Sequence, residues 1–539
     1  MRWVAFLLFQ GAFVDSFTAD SYSFGITAIK VDMAGNTYLT GATRWGGIPV
    51  TPDAYQPQPT AGSGGSGPLV CTGPPLSGIP VGPCVNAFLI KLDPGGAVVY
   101  GTYLGGAATA YGMALAIDSA GNIYVCGLTQ PPGFPITPGA AFPTANESAV
   151  SAFVQKFDPS LHHLVYSTYI PGITYNAAMA IDAAGNAYVA GTTRPACLPA
   201  GGCGSTYSSI FPATPGAFQT SAKNNSAAGV VVALNASGSA PIYATYLSGS
   251  VISPQQTPDQ VVALAVDASG DAFVTGFTGA SDFPITSGAF QTKPPNSTSA
   301  AFVTKLNPQG TALVYSTLLG GNGADFGEAI KVDSRGEAWV LGQTSSTNFP
   351  LTPSPFESTP DDHFLIHLSA DGASLSYATY FPGILGAGQA LDLNAEGEPY
   401  VASTVSALNL PTGPSAFESN LSVSGEVYIA QFAAGGRFAG GSYLGGSSGA
   451  YVNLMAAAPD DAVVVTGITQ SSDFPGITLP LPGGRVTYVA KLVPWRRTND
   501  AFGIAGGGES AGWQKRQVGN LPHLKLCSAA SWCSARPCR

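Results

Sequence analysis

Charge is scarce in this chain, histidine is scarcer, and long apolar runs are missing. Only 10% of its 539 residues are Asp, Glu, Lys or Arg, and five are His; typical globular chains carry roughly 25% charged residues. The few basic residues form no stripe, which excludes nucleic acid as a partner, because neutralising phosphates requires clustered Lys and Arg. No apolar run reaches the roughly 18 residues of a membrane-spanning helix. The formal charge of −10 is uneven: from Trp495 onward seven Lys and Arg face two acidic residues, leaving about −15 on the remainder. Nucleotide and nucleophile motifs are missing too. Gly62 to Gly67 is a flexible Gly/Ser loop with no following Lys-Ser/Thr, and no Gly-x-Ser-x-Gly elbow stands at a strand-to-helix turn. None of the eight Cys forms a Cys-x-x-Cys pair, and no His lies near Cys71, Cys84, Cys197 or Cys203, so no zinc site is assigned. Cys71 with Cys84, and Cys197 with Cys203, bracket Gly/Pro-rich insertions and are candidate local disulfides, which suits an oxidising compartment. Cys126 sits where other copies of its segment carry Thr or Ala and reads as an inert core thiol.

Glycine (68) and proline (43) are plentiful, and they punctuate a phrase that recurs seven times. It is built on Asp-x-x-Gly-Asn-x-Tyr-Val-x-Gly and begins at Asp32, Asp118 and Asp182, then in looser form at Asp267, Asp333, Asn394 and Ala458. The turn position (Gly35, Gly121, Gly185, Gly270, Gly336, Gly397, Asp461) advances by 61 to 86 residues per step. Such self-similarity signals stacked copies of one supersecondary unit sharing a continuous core. In the fourth copy, Ala263 to Asp267, a turn at Gly270, and Ala272 to Gly276 read as a hairpin; Ala301 to Leu306 and Leu313 to Gly321 read as a second. Between them lies Phe283-Pro-Ile-Thr-Ser-Gly-Ala-Phe-Gln291, whose relatives carry Thr-Pro, a helix-starting pair. One short helical turn is therefore predicted there, with its aromatic plugging the blade edge. The turn Asp is expected to accept backbone N–H groups; each loop lacks the several carboxylates that calcium requires.

Four strands repeated seven times, each sheet covered on both faces, describe an all-β, seven-bladed β-propeller with four antiparallel strands per blade. Three linked phrases carry a resemblance: Asp-x-x-Gly-Asn-x-Tyr-Val-x-Gly, Phe-Pro-x-Thr-x-Gly-Ala-Phe-Gln and Val-Tyr-Ser-Thr-Tyr-Leu-Gly-Gly. From about Gly25 to Pro494 the chain resembles the bacterial β-propeller repeat (SBBP) family of secreted and surface proteins. That resemblance implies the fold and export to the cell surface or medium, and no shared catalytic residues.

The seventh copy stops after a third strand at Val486 to Val493, where every other copy continues with a strand of the Tyr-Ser-Thr-Tyr kind, as at Tyr166 to Tyr169. An unpaired edge is adhesive, so the ring is expected to close by strand exchange, the segment Val4 to Phe13 completing the last blade. Met1-Arg2 followed by Trp3 to Phe9 also has the charged and apolar parts of a secretory signal, without a prompt cleavage site. The organisation is thus an N-terminal segment at 1–24, closing strand or signal; the propeller at 25–494; and a basic, Cys-containing tail at 495–539, expected to be poorly ordered. The partners of Cys527, Cys533 and Cys538 are not assigned.

His363 and His367 stand four apart on a strand, roughly 13 Å, too far to share one ion. His367 falls in a column otherwise held by Lys91, Lys156, Lys305, Lys491, a Gln and Ala233. That column reads as stems laid on apolar surface with ammonium groups at the blade rim or on a carbonyl, or alternatively as an anion-attracting ring. No catalytic, cofactor-binding or metal-ligating residue is assigned and no cofactor is expected. The leading functional expectation is a non-enzymatic, monomeric binding or scaffold module for extracellular protein or polysaccharide, its site on the rim enlarged by Thr60 to Cys84 and Arg194 to Ile210. The alternatives are a glycan- or small-molecule-directed lyase or hydrolase at the central channel, and a structural surface-layer component.

Overall fold

The Asp, Gly, Asn and Tyr of the recurring phrase all contribute to its turn. In a computed structural model of the protein, Asp118 Oδ1 accepts the backbone N–H groups of Ala120 (3.1 Å) and Asn122 (2.8 Å). Its Oδ2 accepts the Asn122 amide at 2.7 Å and lies 3.1 Å from the Tyr124 hydroxyl. Asp32 and Asp182 hold the same set of partners. Gly121 follows at φ 80°, and Asp461, its counterpart in the seventh copy, at φ 59°, a region that short polar side chains tolerate. The Tyr hydroxyl also reaches the neighbouring blade: Tyr124 lies 3.0 Å from the Gly185 carbonyl, and Tyr188 lies 3.1 Å from that of Gly270. The phrase therefore closes one hairpin and staples it to the next.

The structure describes residues 2–11, 25–43, 48–59, 85–106, 109–130, 133–145, 150–193, 211–223, 227–250, 257–293, 299–384, 388–406, 409–413, 416–420, 423–475 and 486–495. These residues contain twenty-eight strands in seven four-stranded antiparallel sheets. Blade 4 is typical: Gln260–Val266, Ala272–Thr278, Ala300–Leu306 and Leu313–Leu319 pair in chain order. The middle strands are buried throughout, as in Ser151–Phe157 and Ala187–Thr193, because neighbouring blades cover both faces. First strands of successive blades pack on one another around the ring, and Ala450–Ala457 of blade 7 returns to Ile26–Val31 of blade 1.

Blade 7 draws only three strands from its own repeat, ending with Val486–Trp495. The fourth is Arg2–Gly11, antiparallel to Val486–Trp495, with Val4 opposite Val493, Gly11 opposite Thr487 and a bulge between Leu7 and Phe9. Strand exchange closes the ring, as the seventh copy's missing fourth strand implied, but it begins two residues before the expected Val4; Ala12 and Phe13 lie outside the described residues.

The predicted helical turn is not formed. At Thr286 the chain makes a β-turn in which Ala289 N–H bonds back to the Thr286 carbonyl and Gly288 sits at φ 82°, a backbone no right-handed helix contains. The same turn occurs at Thr137 and Thr214. The fourth strand holds the segment in place: Thr286 Oγ1 accepts Ser316 N–H at 2.9 Å, and Thr317 Oγ1 accepts Gln291 N–H at 2.9 Å. Its aromatic is anchored on the following blade, where Phe290 N–H bonds the Gly372 carbonyl at 3.0 Å. Thr-Pro is a local helix signal, overridden here by tertiary hydrogen bonds. Cys126 is a buried free thiol whose pKa burial pushes up, in keeping with an inert core role. Cys71, Cys84, Cys197 and Cys203, both Cys-bracketed insertions, and the tail from residue 496 lie outside the described residues.

Candidate functional site

The first strand of each blade ends one residue after a position that faces its counterparts around the central channel. Read off the turn register, that ring is Lys30, Ala116, Ala180, Ala265, Lys331, Asp392 and Ala456. Six of the seven border a cavity of about 490 Å³. Four alanines leave the bore open, and three ionisable groups from blades 1, 5 and 6 converge in it.

Lys331 Nζ lies 2.7 Å from Asp392 Oδ1, and Asp392 Oδ2 accepts the Ala457 N–H of blade 7 at 3.0 Å. Burial pushes the Asp392 carboxyl upward, but attraction to Lys331 and Lys30 outweighs it and holds the pKa below the usual carboxylate range. Lys30 has no ion-pair partner of its own among the described residues. Repulsion from Lys331 pulls its pKa down to about 8; Asp392 opposes this and burial adds to it. At the ring two lysines face one aspartate; Asp333, which also lines the cavity, is paired with Arg335.

Three of the four lysines of the column, and its Gln, are already met by acidic partners. Lys156 lies 3.3 Å from Asp118, Lys305 lies 3.0 Å from both Asp267 and Asp271, and Lys491 lies 2.9 Å from Asp460. Gln431 donates to Glu398 at 3.3 Å. These groups turn back on the hairpin turn of their own blade instead of reaching the rim or a carbonyl, so their charge is already met. Lys156 and Lys305 lay their stems over Tyr124 and Phe273, with Nζ 4.7 and 4.6 Å from the ring centres. His162 and His163 lie in an exposed turn beside Asp53 and Asp158. His363 and His367 are buried, and burial pulls both imidazoles down to about 4.

Sequence reading missed the channel ring. Its signal was present, two residues before each turn Asp, but alanine in four copies made the column look like core.

Residues 99–132 match the SBBP β-propeller repeat family. No curated protein sequence matches the chain. Among solved structures, a protein of unknown function from Dyadobacter fermentans is 9% identical, with a TM-score of 0.37, covering 71% of this chain and 93% of that one. Kuenenia stuttgartiensis hydrazine synthase is 10% identical, with a TM-score of 0.38 and coverage of 84% and 96%. Penicillium chrysogenum α-L-arabinanase, complexed with arabinobiose, is 10% identical, with a TM-score of 0.36 and coverage of 70% and 91%. Likeness at this level carries no argument about activity. Among the described residues no helix is long and apolar enough to cross a membrane.

Proposed function

We propose that this chain, a carrier of the SBBP β-propeller repeat, is an exported, monomeric, non-enzymatic binding module that receives a carboxylate-bearing ligand at its central channel. An acidic polysaccharide is the extracellular class that fits. The observation that carries this reading is the channel ring, where Lys30 stands without a carboxylate of its own beside the Lys331–Asp392 pair. A narrow, low-dielectric bore focuses the field of one uncompensated ammonium onto an incoming anion, and alanines at Ala116 and Ala456 leave room on either side of Lys30.

Calorimetric titration with oligogalacturonate and with a neutral galactose oligomer tests it. The acidic oligomer should bind and the neutral one should not, and Lys30→Ala should weaken binding by about tenfold or more, the worth of a charge-assisted hydrogen bond. Lys30 is cationic below its pKa and neutral above it, so affinity should decline as pH rises through about 8. Equal binding of both oligomers, or none of either, would remove the proposal. One observation favours a channel enzyme as a second reading: an amine with a lowered pKa beside a carboxylate is a usable base or nucleophile. Turnover of the acidic oligomer in the same titration cell would select that reading.

A further inference from the structure

Blade 5 departs from the Lys column, and the departure leaves a buried side chain without partners. In blade 4, Asp267 and Asp271 share the Lys305 ammonium, each at 3.0 Å. The same three positions in blade 5 are Asp333, Glu337 and His367. The His367 side chain is 1% exposed, and neither ring nitrogen has a hydrogen-bond partner. Its Nε2 lies 3.5 Å from Glu337 Oε2 and 3.9 Å from Asp333 Oδ2. Trp339 stacks flat on the imidazole, centroids 4.1 Å apart and planes 4° from parallel, so the ring cannot readily turn away. An unsatisfied imidazole held against two carboxylates is costly unless something occupies the space between them.

We propose that Asp333, Glu337 and His367 form a binding site for a divalent transition-metal ion of the zinc class. Tetrahedral coordination with bonds of about 2.0–2.1 Å places ligand atoms about 3.4 Å apart. The imidazole and Glu337 already stand at that spacing, and the three ligand atoms lie within 4.8 Å of one another. One imidazole with two carboxylates suits zinc better than calcium or magnesium, which prefer all-oxygen shells.

Arg335 holds the place of the ion. Its Nη2 lies 2.8 Å from Asp333 Oδ2 and 2.6 Å from Glu337 Oε2, supplying the charge that Lys305 supplies in blade 4. Its side chain is 57% exposed on the turn, so water can replace the bonds that its Nε and Nη2 make to the two carboxylates. Asp333 stays fixed when it does, because Oδ1 accepts the backbone N–H groups of Arg335 (2.9 Å) and Glu337 (3.0 Å). Guanidinium and metal therefore compete for the same two oxygens, and the site opens to metal as Arg335 leaves. Asp333 also borders the channel cavity, but the inference does not rest on the channel reading.

Two substitutions install what blade 4 carries at equivalent positions, so both are compatible with the fold: Arg335→Ser, after Ser269, and His367→Lys, after Lys305. Zn²⁺ calorimetry and Co²⁺ visible absorption on the full chain test the site. Removing the competitor in Arg335→Ser should raise Zn²⁺ affinity at least tenfold over the natural chain, with one equivalent bound. Adding His367→Lys to that variant should abolish this binding while the melting transition persists. A folded Arg335→Ser protein that takes up no Zn²⁺, or a double variant that binds as tightly, would overturn the proposal.

Discussion

Asp118 gathers five partners on one carboxylate: two backbone N–H groups, the Asn122 amide, the Tyr124 hydroxyl and the Lys156 ammonium. Burial pushes its pKa up, but those hydrogen bonds and the Lys156 charge outweigh burial and hold it below the usual carboxylate range. Asp118→Ala strands several of these donors and should cost about 2–3 kcal/mol, read as a lower urea midpoint. The native carboxyl titrates below its unfolded value, so its contribution is intact above about pH 4 and lost as pH falls through the lowered pKa. The gap between variant and natural chain should therefore close in acid. This role was legible in the sequence because an Asx-type turn is local: Asp118, Gly121 and Asn122 lie within five residues. Lys30 was not legible, because its character comes from Lys331 and Asp392, some three hundred residues away, and no local pattern brings them together. His367 was hidden differently. It fills a column of lysines and so read as one more stem, while its lack of any hydrogen-bond partner appears only in three dimensions.

Among elements, the bulge of the first strand depends on the last glycine of the phrase. A Cβ on Gly276 would stand 1.9 Å from the Gln260 carbonyl oxygen, where the first strand bulges between Val261 and Ala263. Blade 6 has Ser403 at this position, and its first strand, Gln389–Leu393, pairs without a bulge. Bulge and glycine thus occur together. Gly276→Ala should destabilise the protein by about 1–3 kcal/mol through overpacking, whereas Ser403→Gly should stay within about 1 kcal/mol; thermal melts of the two variants check the contrast. Strand positions were readable because turn residues bracket them. The segment after the first hairpin was misread because Thr-Pro starts helices in isolation, whereas here Thr286 and Thr317 tie it to the fourth strand and Gly288 turns it the other way.

For the whole molecule, closure depends on one long-range pairing, Arg2–Gly11 on Val486–Trp495. Deleting residues 2–11 should uncover the outer edge of blade 7, lower the melting temperature and promote self-association through that edge; a synthetic peptide of the same ten residues should reverse both effects. Scanning calorimetry with light scattering, with and without the peptide, decides this. An unchanged melt would mean that the pairing does not stabilise the ring. The blade count was legible because repetition amplifies a weak local signal sevenfold, and closure was legible because the seventh copy is short by one strand. Pairing Arg2–Gly11 with Val486–Trp495 also has a consequence in time. At synthesis rates of roughly 5–20 residues per second, the opening strand leaves the ribosome roughly 25–100 s before its partner exists. Each intervening blade fills its own outer place as it is made, so Arg2–Gly11 finds no vacancy along the way and waits for Val486–Trp495 before it can pair.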